Sequence, residues 1–235
     1  ATIMFNHHPL TRWLLGYEAQ RKRMLKKAPE GPLRDFLSVP FPALYTPFDQ
    51  IPILAVDFET TGLDAVQDKL LSVGCVDLCH NQIKLGSSYH QIINTKGRLK
   101  ADNVTIHQIT DDQKDQGQPL AEVIEQLLKR LAGKVMLVHF ARIERQFLRQ
   151  ACLELYGMAP PLPIIDTLVV AKKRLDKRDV AYDPSQLRLS ALRATYQLPD
   201  HYAHNALNDA IATAELLLAQ VNDRADNIAL QQLIL

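Results

Sequence analysis

The sequence predicts an α/β fold: a mixed sheet of three antiparallel strands then parallel strands, flanked by helices and preceded by an N-terminal helical extension. Three observations carry this. The apolar run Ile53-Leu54-Ala55-Val56 closes on the turn signal Thr60-Thr61-Gly62, as a covered strand does. Two further strand-like runs, 69–79 and 85–94, follow at hairpin distance. Beyond them, helical and strand periodicities alternate to residue 221, which suits a sheet with helices packed on it.

Each element has its own signal. Residues 11–28 read as a helix with Trp13, Leu14, Tyr17, Met24 and Leu25 roughly on one face. Its other face carries Arg12, Arg21, Lys22, Arg23, Lys26 and Lys27, either a solvated surface or a ridge for a phosphate backbone or a partner. Pro29, Pro32, Pro40, Pro42 and Pro47 then make a stiff, irregular connector wrapping the main domain. Residues 1–50 therefore form an extension and Pro-rich connector, 51–222 the main domain and 223–235 a C-terminal tail. His80-Asn81-Gln82 is the hairpin turn between the second and third strands. Residues 105–110 look like a short helical turn, followed by Asp111-Asp112.

Leu120, Val123, Ile124, Leu127, Leu128 and Leu131 mark an amphipathic helix, closed by Gly133. A buried strand at 135–140 precedes a helix at 143–156 that ends at Gly157. Ile164-Ile165-Asp166-Thr167 opens a strand-to-helix passage, and the charged stretch 176–186 reads as a mobile loop. Helices at 189–196 and 205–221 complete the domain.

Composition narrows the classes. At 235 residues the chain is long enough for a sizeable core, and 47% hydrophobic with 23% charged residues is ordinary for a soluble globular protein. The formal net charge of +1 supplies no global attraction for nucleic acid, so any polyanion site is local. Cys75, Cys79 and Cys152 lack the second pair that zinc sites use and read as buried thiols of a reducing, cytoplasmic compartment. No transmembrane run or signal peptide is visible, and Ala1-Thr2-Ile3 reads as a remnant ahead of a natural Met4.

The chemistry begins at Asp57 and Glu59. Alternation along a strand sends both carboxylates to one face, where they repel unless a cation or shared proton neutralises them. Hard divalent ions take such oxygen ligands, and Thr60-Thr61-Gly62 offers backbone N–H groups beside them. Glu144 opens a helix behind the strand at 135–140; alone, it reads as an acid suiting the helix dipole. His204 and Asp209 flank a helix entry five residues apart, which lets both project to one side. Asp209 suits a metal and His204 a water, or the pair is a capping histidine with a solvated acid. Asp166-Thr167 reads as an N-cap or sheet-end hydrogen bond.

Together these residues resemble the DEDD 3′→5′ exonucleases in their histidine-bearing branch, which includes the epsilon subunit of bacterial DNA polymerase III and ribonuclease T. The likeness spans about residues 53–220 and rests on Asp57-Phe58-Glu59-Thr60-Thr61-Gly62-Leu63, on Thr105-Ile106-His107-Gln108-Ile109-Thr110, and on His204-Asn205-Ala206-Leu207-Asn208-Asp209-Ala210. It implies an RNase H-like fold and two divalent ions, Mg²⁺ or Mn²⁺, held by Asp57, Glu59, Glu144 and Asp209. One ion would activate water, the other would stabilise the leaving 3′ oxygen, and His204 would be the general base. The substrate it implies is single-stranded DNA or RNA with a free 3′ end, including short oligonucleotides, cut to nucleoside 5′-monophosphates. Thr60, Thr61, Gly62, Leu63 and His107 would bracket the terminal nucleotide.

Two positions depart from the family pattern. Phe140 replaces an Asn and is free to stack on a base, while Glu144 is one methylene longer than the usual Asp. The alternative is therefore a catalytically weakened nucleic-acid-binding or polymerase-associated module. Residues 231–235 faintly resemble a sliding-clamp binding tail, and an apolar helix end explains them equally well.

Overall fold

The computed structural model of the chain describes residues 16–95, 109–179, 181–222 and 228–235. Helix α1 (Tyr17–Leu25) leads into α2 (Pro32–Ser38), a helix inside the stretch read above as an irregular connector. Pro32 opens α2, where its missing N–H costs nothing. Leu33, Phe36 and Leu37, spaced i, i+3, i+4, bury its inner face, so apolar periodicity prevails over the proline signal.

Strands β1 (Ile53–Thr60), β2 (Leu70–Cys79) and β3 (Gln82–Asn94) form the antiparallel meander. The β2–β3 turn is the two residues His80-Asn81, both left-handed (φ 52° and 56°), the conformation a tight hairpin requires. Helix α3 (Asp111–Asp115) starts at a Thr110–Gln113 capping box, and β4 (Gln118–Pro119) then pairs in parallel with β3. The expected turn at 105–110 lies outside the described residues as far as residue 108, and His107 with it.

Helix α4 (Leu120–Leu131), β5 (Val135–Val138), α5 (Arg142–Tyr156), β6 (Ile164–Asp166) and α6 (Thr167–Lys177) follow. Gly157 ends α5 at φ 70°, a left-handed cap that costs glycine little. Parts of the stretch 176–186, expected to be a mobile loop, take up regular secondary structure. Helix α6 runs to Lys177, a 3₁₀ turn covers Pro184–Leu187, and Leu187 is buried. Helices α7 (Leu189–Thr195), α8 (Ala206–Val221) and α9 (Leu230–Leu233) complete the chain.

The sheet order is β4-β3-β2-β1-β5-β6, with β5 parallel to both β1 and β6. Strand alternation divides the core into two layers. Leu54, Val56, Phe58, Met136 and Val138 pack with α2, α4 and α5. Ile53, Ala55, Val135, Leu137 and Ile165 face α8 on the other side, joined by Phe48 and by Leu230, Leu233 and Ile234 of the C-terminal segment. Ile234 bridges to Ile165, so Leu233 and Ile234 are spent on the core, as the helix-end reading has it, while Leu235 stays exposed. No helix among the described residues is long and apolar enough to cross a membrane. This is an α/β fold with a mixed six-strand sheet flanked by helices.

Candidate active site

Alternation on β1 decides where the acids go. Ile53 and Ala55 face α8, so Asp57 and Glu59 at the same parity face α8 as well. Helix α8 begins at Asn205, whose side chain accepts the Asn208 N–H at 3.1 Å, and this cap sets Asp209 in the first turn. Asp57, Glu59 and Asp209 each bring an oxygen to one point, all within 4.8 Å of one another.

Glu144 lies in the first turn of α5 and is buried, with Oε2 free of any hydrogen-bond partner among the described residues. It is not one of the three converging groups, yet it is near enough to act on them. Asp57 is held well above the ordinary carboxylate range by burial first, then by the charges of Glu144, Asp209 and Glu59. Burial and Asp209 push Glu59 up to about 7. Burial pushes Glu144 up to about 8, opposed by a backbone hydrogen bond and reinforced by Asp166 and Glu59. Crowded carboxylates with one orphaned buried oxygen lack positive charge. Their oxygen-only donor set suits Mg²⁺ or Mn²⁺, so the residues fit the divalent ions expected of them.

Asp166 positions the back of the site as the cap of α6. One oxygen accepts the N–H groups of Leu168 (2.9 Å) and Phe140 (3.0 Å), and the other accepts that of Ala141 (2.8 Å). Those bonds pin Phe140 at φ 70°, a strained conformation for an aromatic residue, and start α5 one turn before Glu144. Phe140 is left 45% exposed. Beside it, His139 Nδ1 lies 2.8 Å from Thr167 Oγ1, and burial lowers the His139 pKa.

The β1–β2 loop is braced by its own threonines. Thr60 Oγ1 donates to the Gly62 carbonyl (2.7 Å), and Thr61 Oγ1 accepts the Lys69 N–H (2.9 Å). The Thr61 N–H bonds the Lys69 carbonyl at 3.0 Å, so of the backbone donors expected to meet a ligand this one is already engaged. Leu63 projects from the loop, 74% exposed.

His204 sits at φ 64° ahead of α8, its side chain exposed and its backbone N–H donating to Asp209 Oδ2 at 2.8 Å. The contact the sequence reading missed is His201, whose Nε2 lies 2.8 Å from Asp209 Oδ1. Its only signal in the sequence is a second histidine three residues before the first.

A family profile described as exonuclease matches residues 54–217. The chain belongs to the exonuclease family. The PolC-type DNA polymerase III of Thermotoga petrophila is 29% identical over 171 residues, 73% of this chain and 12% of that protein. The 3′-5′ exonuclease DinG of Staphylococcus haemolyticus is 26% identical over 69% of this exonuclease chain and 17% of its own length. The exonuclease chain thus corresponds to a small part of these relatives. Among solved structures, the nuclease domain of 3′hExo, a DEDDh family member bound to rAMP, superposes with a TM-score of 0.64 at 17% identity. The match covers 78% of this chain and 98% of that one. At that identity the likeness concerns the fold.

Proposed function

We propose that this exonuclease hydrolyses single-stranded DNA or RNA from a free 3′ end, releasing nucleoside 5′-monophosphates, with two divalent ions as cofactors. The observation that carries the reading is the meeting of Asp57, Glu59 and Asp209 oxygens within 4.8 Å, with the unpartnered Glu144 Oε2 close behind. Asp57, Glu59 and Asp209 would hold the ions, with Glu144 as the fourth carboxylate. Bound there, Mg²⁺ or Mn²⁺ would supply Lewis-acid stabilisation of the attacked phosphate and its leaving oxygen.

The chain's own groups do the rest. The exposed His204 imidazole takes the proton of the attacking water on a ring nitrogen, the general-base role open to a histidine. Water oxygen bonds to phosphorus as the bond to the 3′ oxygen of the preceding nucleotide breaks. Leu63 and Phe140, both exposed, suit packing against the terminal base, with the Thr60-Thr61-Gly62 turn behind them. His107 belongs to the same proposed bracket by its place in the sequence. The three free thiols fit a reducing cytoplasm, and burial pushes Cys75 and Cys152 up to about 12, which makes them inert.

Glu144 also favours a second reading, because it stands outside the converging trio. On that reading the chain is a weakened nucleic-acid-binding or polymerase-associated module. End-labelled single-stranded DNA and RNA of equal sequence, incubated with Mg²⁺, Mn²⁺ or chelator, separate the two. Stepwise shortening lost in chelator supports the exonuclease, and the faster substrate names the polymer. Binding without shortening in either metal favours the module.

A further inference from the structure

His201 has no part in the catalytic set read from the sequence, yet its ring holds one of that set. Resting on the metal-site reading above, we infer that His201 is a positioning residue that fixes Asp209 for metal binding.

The geometry is a two-point clamp. His201 Nε2 and the His204 backbone N–H reach different oxygens of Asp209, each at 2.8 Å. An ionised carboxylate only accepts hydrogen bonds, so Nε2 carries the proton of this contact. Two bonds use half of the carboxylate's roughly four acceptor directions, which leaves lone pairs on both oxygens for metals. Both side chains are 13% exposed, so little water competes for the contact.

The segment that presents His201 is itself braced. Arg193 is buried and donates to the Pro199 carbonyl and to the Ala212 carbonyl, each at 2.8 Å, and pairs with Glu215 at 2.7 Å. One guanidinium therefore ties the chain two residues before His201 to the middle of α8, the helix that carries Asp209. His201 reaches back to Asp209 from a fixed point. Hydrogen-bonded partners of metal-ligating carboxylates commonly change metal affinity 10–100-fold when removed.

The test is calorimetric titration of Mn²⁺ into the full chain without nucleic acid, for the parent, His201→Ala and His201→Gln. The expected result is affinity about 10–100-fold weaker for His201→Ala. His201→Gln, which keeps an N–H donor at similar reach, recovers much of the loss. Thermal melting in chelator separates local from global effects, and the two variants are expected to melt alike. Parent-like Mn²⁺ affinity in His201→Ala overturns the inference while leaving the metal site standing. Equal loss in both variants with lowered melting overturns it in favour of a merely structural contact. A parent that binds no divalent ion overturns the metal-site reading and this inference with it.

Discussion

Gly74 lies directly beneath Ala206: a methyl group on Gly74 would overlap the Ala206 carbonyl and the Leu207 nitrogen. Gly74 is also the cross-strand neighbour of Asp57 in the β1–β2 pair. The bare backbone beside Asp57 is therefore what admits the first turn of α8, and Asp209 with it. Two acids far apart in sequence meet because one residue between them has no side chain.

Gly74→Ala is expected to push α8 outward. Overpacking of this kind costs typically about 1–3 kcal/mol, readable in a denaturant titration. Mn²⁺ affinity should fall at least about tenfold as the trio separates, in line with other losses of carboxylate placement. Parent-like affinity in a folded Gly74→Ala protein would show that α8 is placed by other contacts.

Metal-free protein should lose stability as pH rises. Glu59 and Glu144 keep their protons to about 7 and about 8 in the fold, whereas an unfolded chain releases them near pH ~4.3. Between those values the fold binds more protons than the unfolded chain, so its stability is greatest below that window and declines through it. Denaturation in chelator should show a loss on the order of 6 kcal/mol from pH 5 to pH 8.5. Saturating Mg²⁺ or Mn²⁺ should reverse the decline, because the ion replaces the missing protons. Stability that rises with pH in chelator would contradict the crowded site.

Phe140 sets stability against binding. Its φ of 70° is strained for a side chain of this size, and Asp166 holds it there. Phe140→Gly relieves the strain and should stabilise the fold by about 1 kcal/mol. The same change removes the proposed stacking platform, worth about 1–3 kcal/mol per base, and should weaken single-strand binding accordingly. Melting and fluorescence anisotropy on one protein preparation read both effects.

Glu144→Gln keeps the shape of the side chain and removes its charge. In chelator at pH 8.5, where the parent's Glu144 is largely ionised, the variant should be the more stable protein. Turnover with Mg²⁺ should fall by roughly 100-fold or more, the scale of removing a group that stabilises developing charge. Turnover equal to the parent's would remove Glu144 from the catalytic set.

Much of this was legible in the sequence because local rules governed it. The apolar run into Asp57 and Glu59 is a strand whose alternation fixes both acids, and Gly157 ends its helix where expected. The paired histidine and aspartate at 204 and 209 do meet, though through the His204 backbone. What escaped was set by distant contacts. Helix α2 forms around three apolar residues among prolines, since burial against α4 outweighs the breakers. The sequence left two readings open for the tail 231–235, and a bridge to β6 across the domain favours the apolar helix end. His201 was invisible because a ring bonded to a carboxylate eight residues away has no periodicity to announce it.

The most direct test is a time course on a 5′-labelled single strand with Mg²⁺, comparing the parent with Asp57→Asn. Asp57 stands at the centre of the crowded carboxylates, so its neutralisation should abolish hydrolysis while the protein keeps its circular dichroism. A ladder shrinking from the 3′ end in the parent and an intact strand in the variant is the predicted result. Unchanged shortening by folded Asp57→Asn protein would contradict the account.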